Sequence, residues 1–358
     1  MNNNIMFFLS EIKYSGASKI ALWVASILAK SNNVTILTYT YPSDTIVKSI
    51  QSNVKIEYIE CKSSNRAIQC LNAIKGIRKH IIRNHVNIAL GFHPMAIMEI
   101  RIASLFTNVK IIACERSDPW YERAIVTRIC RWTYRFADYA VFQTDAVKNY
   151  YPKSLRKRSC VIPNPAFVKE VSIVPYAERK EKISHVARLY IVQKRQDLLI
   201  DAFELFSKKH KNVELFIYGD GPDEDLIREM LIERGLDKKV ILAGKVDNVL
   251  EKISDSKLFI LSSDYEGIPN AVIEALSVGI PCVCTDCSPG GARILIEDGD
   301  NGFIVPRNDA VALSTKAEEV FANPELAKKM SENALLIVDK FSESAISSKW
   351  CEVIYSLL

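Results

Sequence analysis

Twelve short apolar runs, each four to six residues long, alternate with helical patterns, and that alternation limits the fold more than any other feature. In the first half the candidate strands are Ile5–Ser10, Val34–Tyr39, Val54–Ile59, Asn87–Phe92, Val109–Cys114 and Tyr139–Gln143. Helical stretches such as Ser18–Ala29 and Ala67–Ile82 lie between them. Strand–helix–strand order of this kind builds βαβ units around a parallel sheet. Val161-Ile162-Pro163-Asn164-Pro165 ends the pattern, and the irregular, partly charged residues 166–181 read as a linker. The second half repeats the grammar with strands at Ile183–Ala187, Val213–Tyr218, Val240–Ala243, Leu258–Leu261, Cys282–Thr285 and Gly302–Val305. Leu199, Ala202, Phe203 and Phe206 recur at helical spacing and predict one core-facing stripe. Helices also fit Asp223–Arg234, Asn270–Val278 and Pro324–Val338. The expected fold is α/β, with two doubly wound Rossmann-like domains at 1–165 and 182–341 facing a central cleft. Ligands of such sheets sit outside the carboxyl ends of the strands.

At 358 residues, of which 48% are hydrophobic and 25% charged, the chain is long enough for two such cores and is not a disordered polymer. The longest apolar stretch, Ile20 to Ala29, is ten residues, about half of what a spanning helix needs. The opening residues lack a basic, then apolar, export signal, so the active surface is expected to be cytoplasmic. Nine cysteines, mostly inside apolar runs (Cys70, Cys114, Cys130, Cys282, Cys284), read as reduced, buried thiols. The net charge of +5 hides a division. Residues 1–165 carry 23 Lys and Arg against 10 carboxylates, and the remainder 24 against 32, giving +13 and −8. A basic first half predicts an anionic partner there.

The most informative segment runs from Ser262 through Glu266-Gly267-Ile268-Pro269-Asn270 to Glu274. It leaves an apolar strand and enters a helix. Glu266 therefore stands on the loop and Glu274 just over one turn inside, where carboxylates can accept hydrogen bonds from sugar or ribose hydroxyls. Amides at a helix start favour an anion such as phosphate. Two glutamates eight apart are common, and spacing alone decides nothing.

The neighbouring residues do. The segment resembles the Glu-x7-Glu motif of glycosyltransferase family 4, retaining enzymes of the GT-B fold. Ala187-Arg188-Leu189 with Gln193-Lys194, Gly219-Asp220-Gly221-Pro222 and Gly299-Asp300-Asn301-Gly302-Phe303 resemble the family's other motifs, in its order. Glu115-Arg116-Ser117-Asp118-Pro119 and Ser288-Pro289-Gly290-Gly291 are similar to the branch that builds bacterial cell-surface polysaccharides.

The resemblance implies roles. Arg188 and Lys194 would hold the donor diphosphate and neutralise it as it leaves, chemistry that suits guanidinium and ammonium groups. Glu274 would bind the ribose, and Glu266 with the following amides, in the donor-binding run Gly267, Ile268, Pro269 and Asn270, would orient the donor sugar and phosphate. Gly16 permits close backbone approach to the donor phosphate or the acceptor, although Ser15-Gly16-Ala17-Ser18 departs from the family's Gly-Gly-Ala-Glu. His93 ends a strand and is a candidate sugar contact with a catalytic role. Glu115 and Arg116 end the next strand and would face the acceptor. By the same resemblance, 342–358 forms a final helix, near Ser344–Leu357, that crosses back to the first domain.

Asp223-Glu224-Asp225 and Asp298-Gly299-Asp300 spell Asp-x-Asp but open a helix and a turn, and neither reads as a metal site. Cys282, Cys284 and Cys287 lack a fourth zinc ligand nearby. No metal or other cofactor is expected. In the helix expected over Ala124–Ala137, Ile125, Ile129, Trp132 and Phe136 form a stripe assigned to the core, with Arg128, Arg131 and Arg135 on a solvated face. With Lys153, Arg156, Lys157 and Arg158 these suit anionic lipid headgroups. The implied function is transfer of a sugar from a nucleotide-sugar, UDP-linked by expectation, to a lipid-diphosphate-linked saccharide. The enzyme would be peripheral on the inner face of the cytoplasmic membrane. A nucleotide-sugar epimerase on the same architecture is the rival, and a non-catalytic nucleic-acid-binding protein a weaker one, since no nucleic-acid motif accompanies the charge.

Overall fold

The protein, seen in a computed structural model, is described for residues 3–12, 16–39, 53–60, 65–121, 124–167 and 171–358. It divides into two compact units, one comprising the chain up to Asn164 together with Ser344–Leu358, the other Pro165–Glu343.

The first unit holds a seven-stranded sheet of order β3-β2-β1-β4-β5-β6-β7 in which every pair is parallel. The strands are β1 (Asn4–Phe8), β2 (Asn33–Thr38), β3 (Val54–Tyr58), β4 (Ile88–Gly91), β5 (Lys110–Cys114), β6 (Tyr139–Phe142) and β7 (Ser159–Val161). A parallel sheet covered on both faces needs apolar residues on both sides of each strand. Met6, Phe7 and Phe8 meet that demand, all three fully buried. The last strand, β7, went unpredicted because three half-buried residues before two prolines carry almost no periodic signal.

The helix Glu343–Leu357 completes this unit. Trp350 is fully buried, with its ring stacked on Phe92 at 6.0 Å. The Tyr355 hydroxyl lies 3.3 Å from Asn32 Nδ2.

The second unit has a six-stranded sheet of order β10-β9-β8-β11-β12-β13, again wholly parallel. Its strands are β8 (Lys180–Val186), β9 (Glu214–Tyr218), β10 (Val240–Gly244), β11 (Ser256–Leu261), β12 (Cys282–Thr285) and β13 (Gly302–Val305). Leu199, Ala202, Phe203 and Phe206 lie in the core beneath it, on the helix Gln196–Ser207. The residues read as a linker are more ordered than their composition suggests. β8 begins at Lys180, and the buried Arg179 donates to the carbonyls of Val174, Val278 and Gly279. With the Ser256 carbonyl, four backbone acceptors for one guanidinium fix the entry to the strand. Residues 168–170 of that stretch lie outside the described residues.

Two helical expectations change. Pro324–Val338 ends at Ala334 and resumes as a short turn, Ile337–Lys340. Ala124–Ala137 is α-helical only over Ile125–Trp132 and tightens to a 3-10 turn over Thr133–Phe136. Its stripe assignment inverts: Ile125, Ile129, Trp132 and Phe136 are exposed, whereas Arg131 is buried. A buried partner explains Arg131. Its Nε donates to Glu115 at 2.9 Å, and the helix must turn that face inward to make the contact. Cys114, Cys130, Cys282, Cys284 and Cys287 are buried free thiols, but Cys70 is only half-buried. Burial pushes the thiols of Cys282 and Cys284 up, and those of Cys114 and Cys287 to about 12.

Candidate active site

In the second sheet the strand order reverses between β8 and β11, and ligands of doubly wound sheets gather at such a point. Both strands deliver expected site residues there. β8 runs into Ala187-Arg188-Leu189, and β11 into Ser262-Ser263-Asp264-Tyr265-Glu266.

Two glycines hold the first loop. A side chain on Gly219 would meet the Ala187 carbonyl oxygen at 1.9 Å, and one on Gly221 the Leu189 oxygen at 2.1 Å. The close approach lets Leu189 N–H donate to Asp220 O at 2.9 Å. Asp223 Oδ2 accepts from Ile191 N–H at 2.7 Å and so anchors the short helix Ile191–Lys194. That contact gives the first Asp-x-Asp a local role. In the second, Asp298 Oδ1 accepts from Ile304 N–H.

Lys194 and Glu266 come from segments 72 residues apart and meet, Nζ to Oε1, at 2.5 Å. Their side chains are 17% and 12% exposed, so the pair is shielded but reachable. Ser263 Oγ donates to the same Glu266 oxygen at 2.8 Å. Gln193 Nε2 donates to Tyr265 O, Asp264 N–H to Gln193 O, and Ser262 Oγ to Lys194 O. These bonds stitch the two segments together. From the other side, Glu266 N–H donates to Ser288 O at 2.7 Å and Ser288 N–H to Asp264 O at 3.0 Å. Gly291 abuts Gly267, and a Cβ there would lie 1.8 Å from the Gly267 oxygen. The Ser-Pro-Gly-Gly run thus clamps the Glu266 loop.

Arg188 differs from Lys194. It is exposed and, among the described residues, has no ion-pair partner, its guanidinium carbon lying 5.9 Å from the Tyr190 ring centroid. Pro269 caps the helix Asn270–Ser277, in which Glu274 is half-buried. The side chains of Ile268 and Pro269 point into the protein and are buried, so at those positions the loop offers backbone rather than side chain.

Sequence reasoning assigned no role to Ser263, Gln193 or His185. His185 lies in β8 with no exposure, its Nδ1 2.9 Å from the Ile260 carbonyl. A carbonyl only accepts, so Nδ1 carries the proton. Burial lowers its pKa to about 4, leaving a neutral ring near Lys194 and Glu266. The only signal was a histidine inside an apolar strand.

In the first unit the corresponding reversal falls between β1 and β4. Gly16, exposed, opens the helix Gly16–Leu28 that follows β1, while Ser15 lies outside the described residues. His93 follows β4, is exposed, and caps the helix Pro94–Ala103 by accepting Met95 N–H at Nδ1, 3.3 Å away. Its Nε2 is left to donate.

The Glu115 assignment needs correction. Its carboxylate is 1% exposed. Oε1 accepts from Ser117 N–H and Oγ, and Oε2 from Arg131 Nε and Tyr151 Oη at 2.9 and 2.7 Å. No face remains for an acceptor, and the group is a structural brace. Arg116 does not pair with it. Its Nη1 donates to Ile162 O and Asn164 Oδ1, and the guanidinium lies 5.7 and 5.3 Å from the Phe92 and Trp350 ring centroids. Nε and Nη2 are enclosed without a hydrogen-bond partner among the described residues, and desolvation lowers the pKa of this arginine.

Residues 169–336 match the family model described as "Glycosyl transferases group 1", a span that covers nearly all of the second unit. An uncharacterized glycosyltransferase of Methanocaldococcus jannaschii is 28% identical over 60% of this chain, and the match spans 57% of that protein, less than two thirds. A Campylobacter jejuni N-acetyl-D-galactosaminyltransferase, named for a diphospho-undecaprenol-linked substrate, is 24% identical over 98% of both chains. Among solved structures, Anabaena HepE in complex with UDP-glucose superposes over 99% of each chain with a TM-score of 0.82 at 18% identity. The second unit is accordingly similar to the group 1 glycosyl transferases along nearly its whole length, and the two Rossmann-like units have the GT-B fold.

Proposed function

We propose that this protein is a family 4 retaining glycosyltransferase that moves a sugar from a UDP-linked donor to a lipid-diphosphate-linked saccharide during cell-surface polysaccharide synthesis. The observation that carries the reading is the Lys194–Glu266 pair beside the unpaired Arg188, set at the reversal point of the second sheet. Lys194, Arg188 and the amides at the start of Asn270–Ser277 supply the positive field for a departing diphosphate, without a metal in the proposed route. Glu274 takes the ribose hydroxyls. Glu266, held by Ser263 and Lys194, orients the donor sugar. Attack comes from the face the diphosphate leaves, and the diphosphate helps accept the acceptor's proton. Nε2 of His93 donates to the sugar, Gly16 admits a phosphate, and the positive charge of Arg116 favours an anionic part of the acceptor. The names of the Campylobacter relative and of the Anabaena complex support the acceptor and donor classes.

Mass spectrometry of the purified protein with UDP-sugars, with and without a lipid-linked saccharide, tests the reaction. Product that forms only with the acceptor is expected, and donor isomerisation without it would favour an epimerase. Glu274→Ala is expected to weaken UDP binding about tenfold, the loss of a charge-assisted hydrogen bond. Glu266→Ala should lower transfer more than it weakens UDP binding. Calorimetry decides between them, and equal UDP affinity in wild type and Glu274→Ala would remove the ribose assignment.

The same reading places the enzyme at the inner face of the cytoplasmic membrane, docked through its basic first unit. No helix among the described residues is long and apolar enough to cross a membrane. Not every expected cation is free to dock. Arg131 is buried, and Arg158 donates to the Ala137 and Arg135 carbonyls, whereas Arg128, Lys153 and Lys157 are exposed. Neutralising those three should reduce pelleting with anionic vesicles at low salt, since each exposed cation near such a surface contributes about 1 kcal/mol. Equal binding to neutral and anionic vesicles would defeat this placement.

A further inference from the structure

The first unit carries an apolar face that no described element covers. In the helix Ile125–Trp132 only Cys130 and Arg131 are buried, while Ile125, Ile129 and Trp132 are 74%, 59% and 52% exposed. Scattered exposed apolar side chains are ordinary, but a whole stripe on one short helix is not. Phe136 extends the stripe, its ring centroid 4.9 Å from that of Trp132. It also lines a groove with Arg101, Ser104 and Thr107, at the end of the helix Pro94–Ala103. Just beyond that end stands Phe106, 99% exposed and at φ 61°. A bulky side chain in the left-handed region is disfavoured in itself, and here its ring touches little but solvent. Two costly arrangements at one residue argue for an apolar surrounding that the isolated chain does not supply.

Charge says which surrounding fits. Arg128 and Arg135 are exposed beside the stripe, and the Arg135 guanidinium carbon lies 4.6 Å from the Trp132 ring centroid. Residues 1–165 carry +13. An apolar stripe edged by cations, with aromatic rings between, is how a helix lies in the boundary between headgroups and acyl chains. We infer that Ile125, Ile129, Trp132, Phe136 and the Phe106 tip insert into the acyl boundary of an anionic bilayer, with Arg128 and Arg135 on its headgroups. The inference rests on the membrane placement proposed above and adds a contact that salt does not screen.

The full chain should be tested on vesicles of phosphatidylglycerol and phosphatidylcholine whose acyl chains are brominated near the glycerol. Tryptophan emission is expected to be quenched on binding, and the quenching to fall in Trp132→Phe. Raising salt from about 0.1 M to 1 M shortens the screening length from about 10 to 3 Å and should leave a bound fraction. The exposed-site variant Phe106→Asp/Ile129→Asp should bind at least about tenfold more weakly at high salt, from lost apolar burial, with UDP binding unchanged. Complete release by salt, with no Trp132 quenching and wild-type pelleting of the double variant at low salt, overturns insertion and leaves electrostatic docking standing. Failure of every form to pellet, with UDP still bound, overturns insertion and the membrane placement but not the transferase reading. A wild-type dimer in light scattering that the double variant splits, again without quenching, assigns the face to a second copy and overturns the inference.

Discussion

Replacing Lys194 with alanine is expected to lower kcat about 10²–10³-fold, the usual effect of removing one preorganised electrostatic group from a transition state. The pair it forms with Glu266 sharpens the expectation. With Lys194 gone, the Glu266 carboxylate, 12% exposed, loses its cation at the place where the diphosphate departs. Arg188→Ala removes an exposed, unpaired cation and strands nothing, so its loss should be the smaller of the two. Adding Glu266→Ala to Lys194→Ala should then cost less than the separate losses combined, because the two groups act as a unit. Steady-state transfer assays on all four variants check this. Near-normal turnover in both Lys194→Ala and Arg188→Ala would remove the cations from the mechanism.

The largest effect on stability is expected at Arg131. Its ion pair with Glu115 is 3% and 1% exposed, and losing one partner of a buried pair costs about 3–5 kcal/mol. For a unit of this size that corresponds to a fall of roughly 10 °C in Tm. The loss should be confined to the first of the two units, so a two-step melting curve should shift in one step only. Glu115→Ala should do the same, removing the acceptor of Arg131 Nε and of the Tyr151 hydroxyl. An acceptor-binding role for Glu115 predicts the opposite: intact stability with a raised KM for the acceptor. Calorimetric scans of both variants separate the two, and wild-type melting in both would refute the brace.

The fold was largely legible because a buried parallel strand must be apolar on both faces, a pattern visible at Phe7-Phe8 and at Cys282–Thr285. The positions of Lys194 and Glu266 were legible from motif resemblance, but their contact was not, since 72 residues separate them and only the sheet order joins them. Arg131 and Glu115 misled for a physical reason. Charged residues are nearly always exposed unless paired, and no helical spacing reveals a partner 16 residues away, just past the end of a strand. Once Arg131 turns inward, Ile129 and Trp132 have to turn outward, and the apolar stripe reads as core only while its neighbour is taken as solvated.

The closing helix has a consequence for how the molecule comes into being. Trp350 seals Phe92 and lies against Arg116, yet residues 165–343 intervene before it is made. During synthesis the uninterrupted second unit is complete as soon as it emerges, whereas the first must wait with its Phe92 side unsealed. Early termination just before Glu343 would therefore spare the part of the chain nearest the break and injure the part furthest from it in sequence.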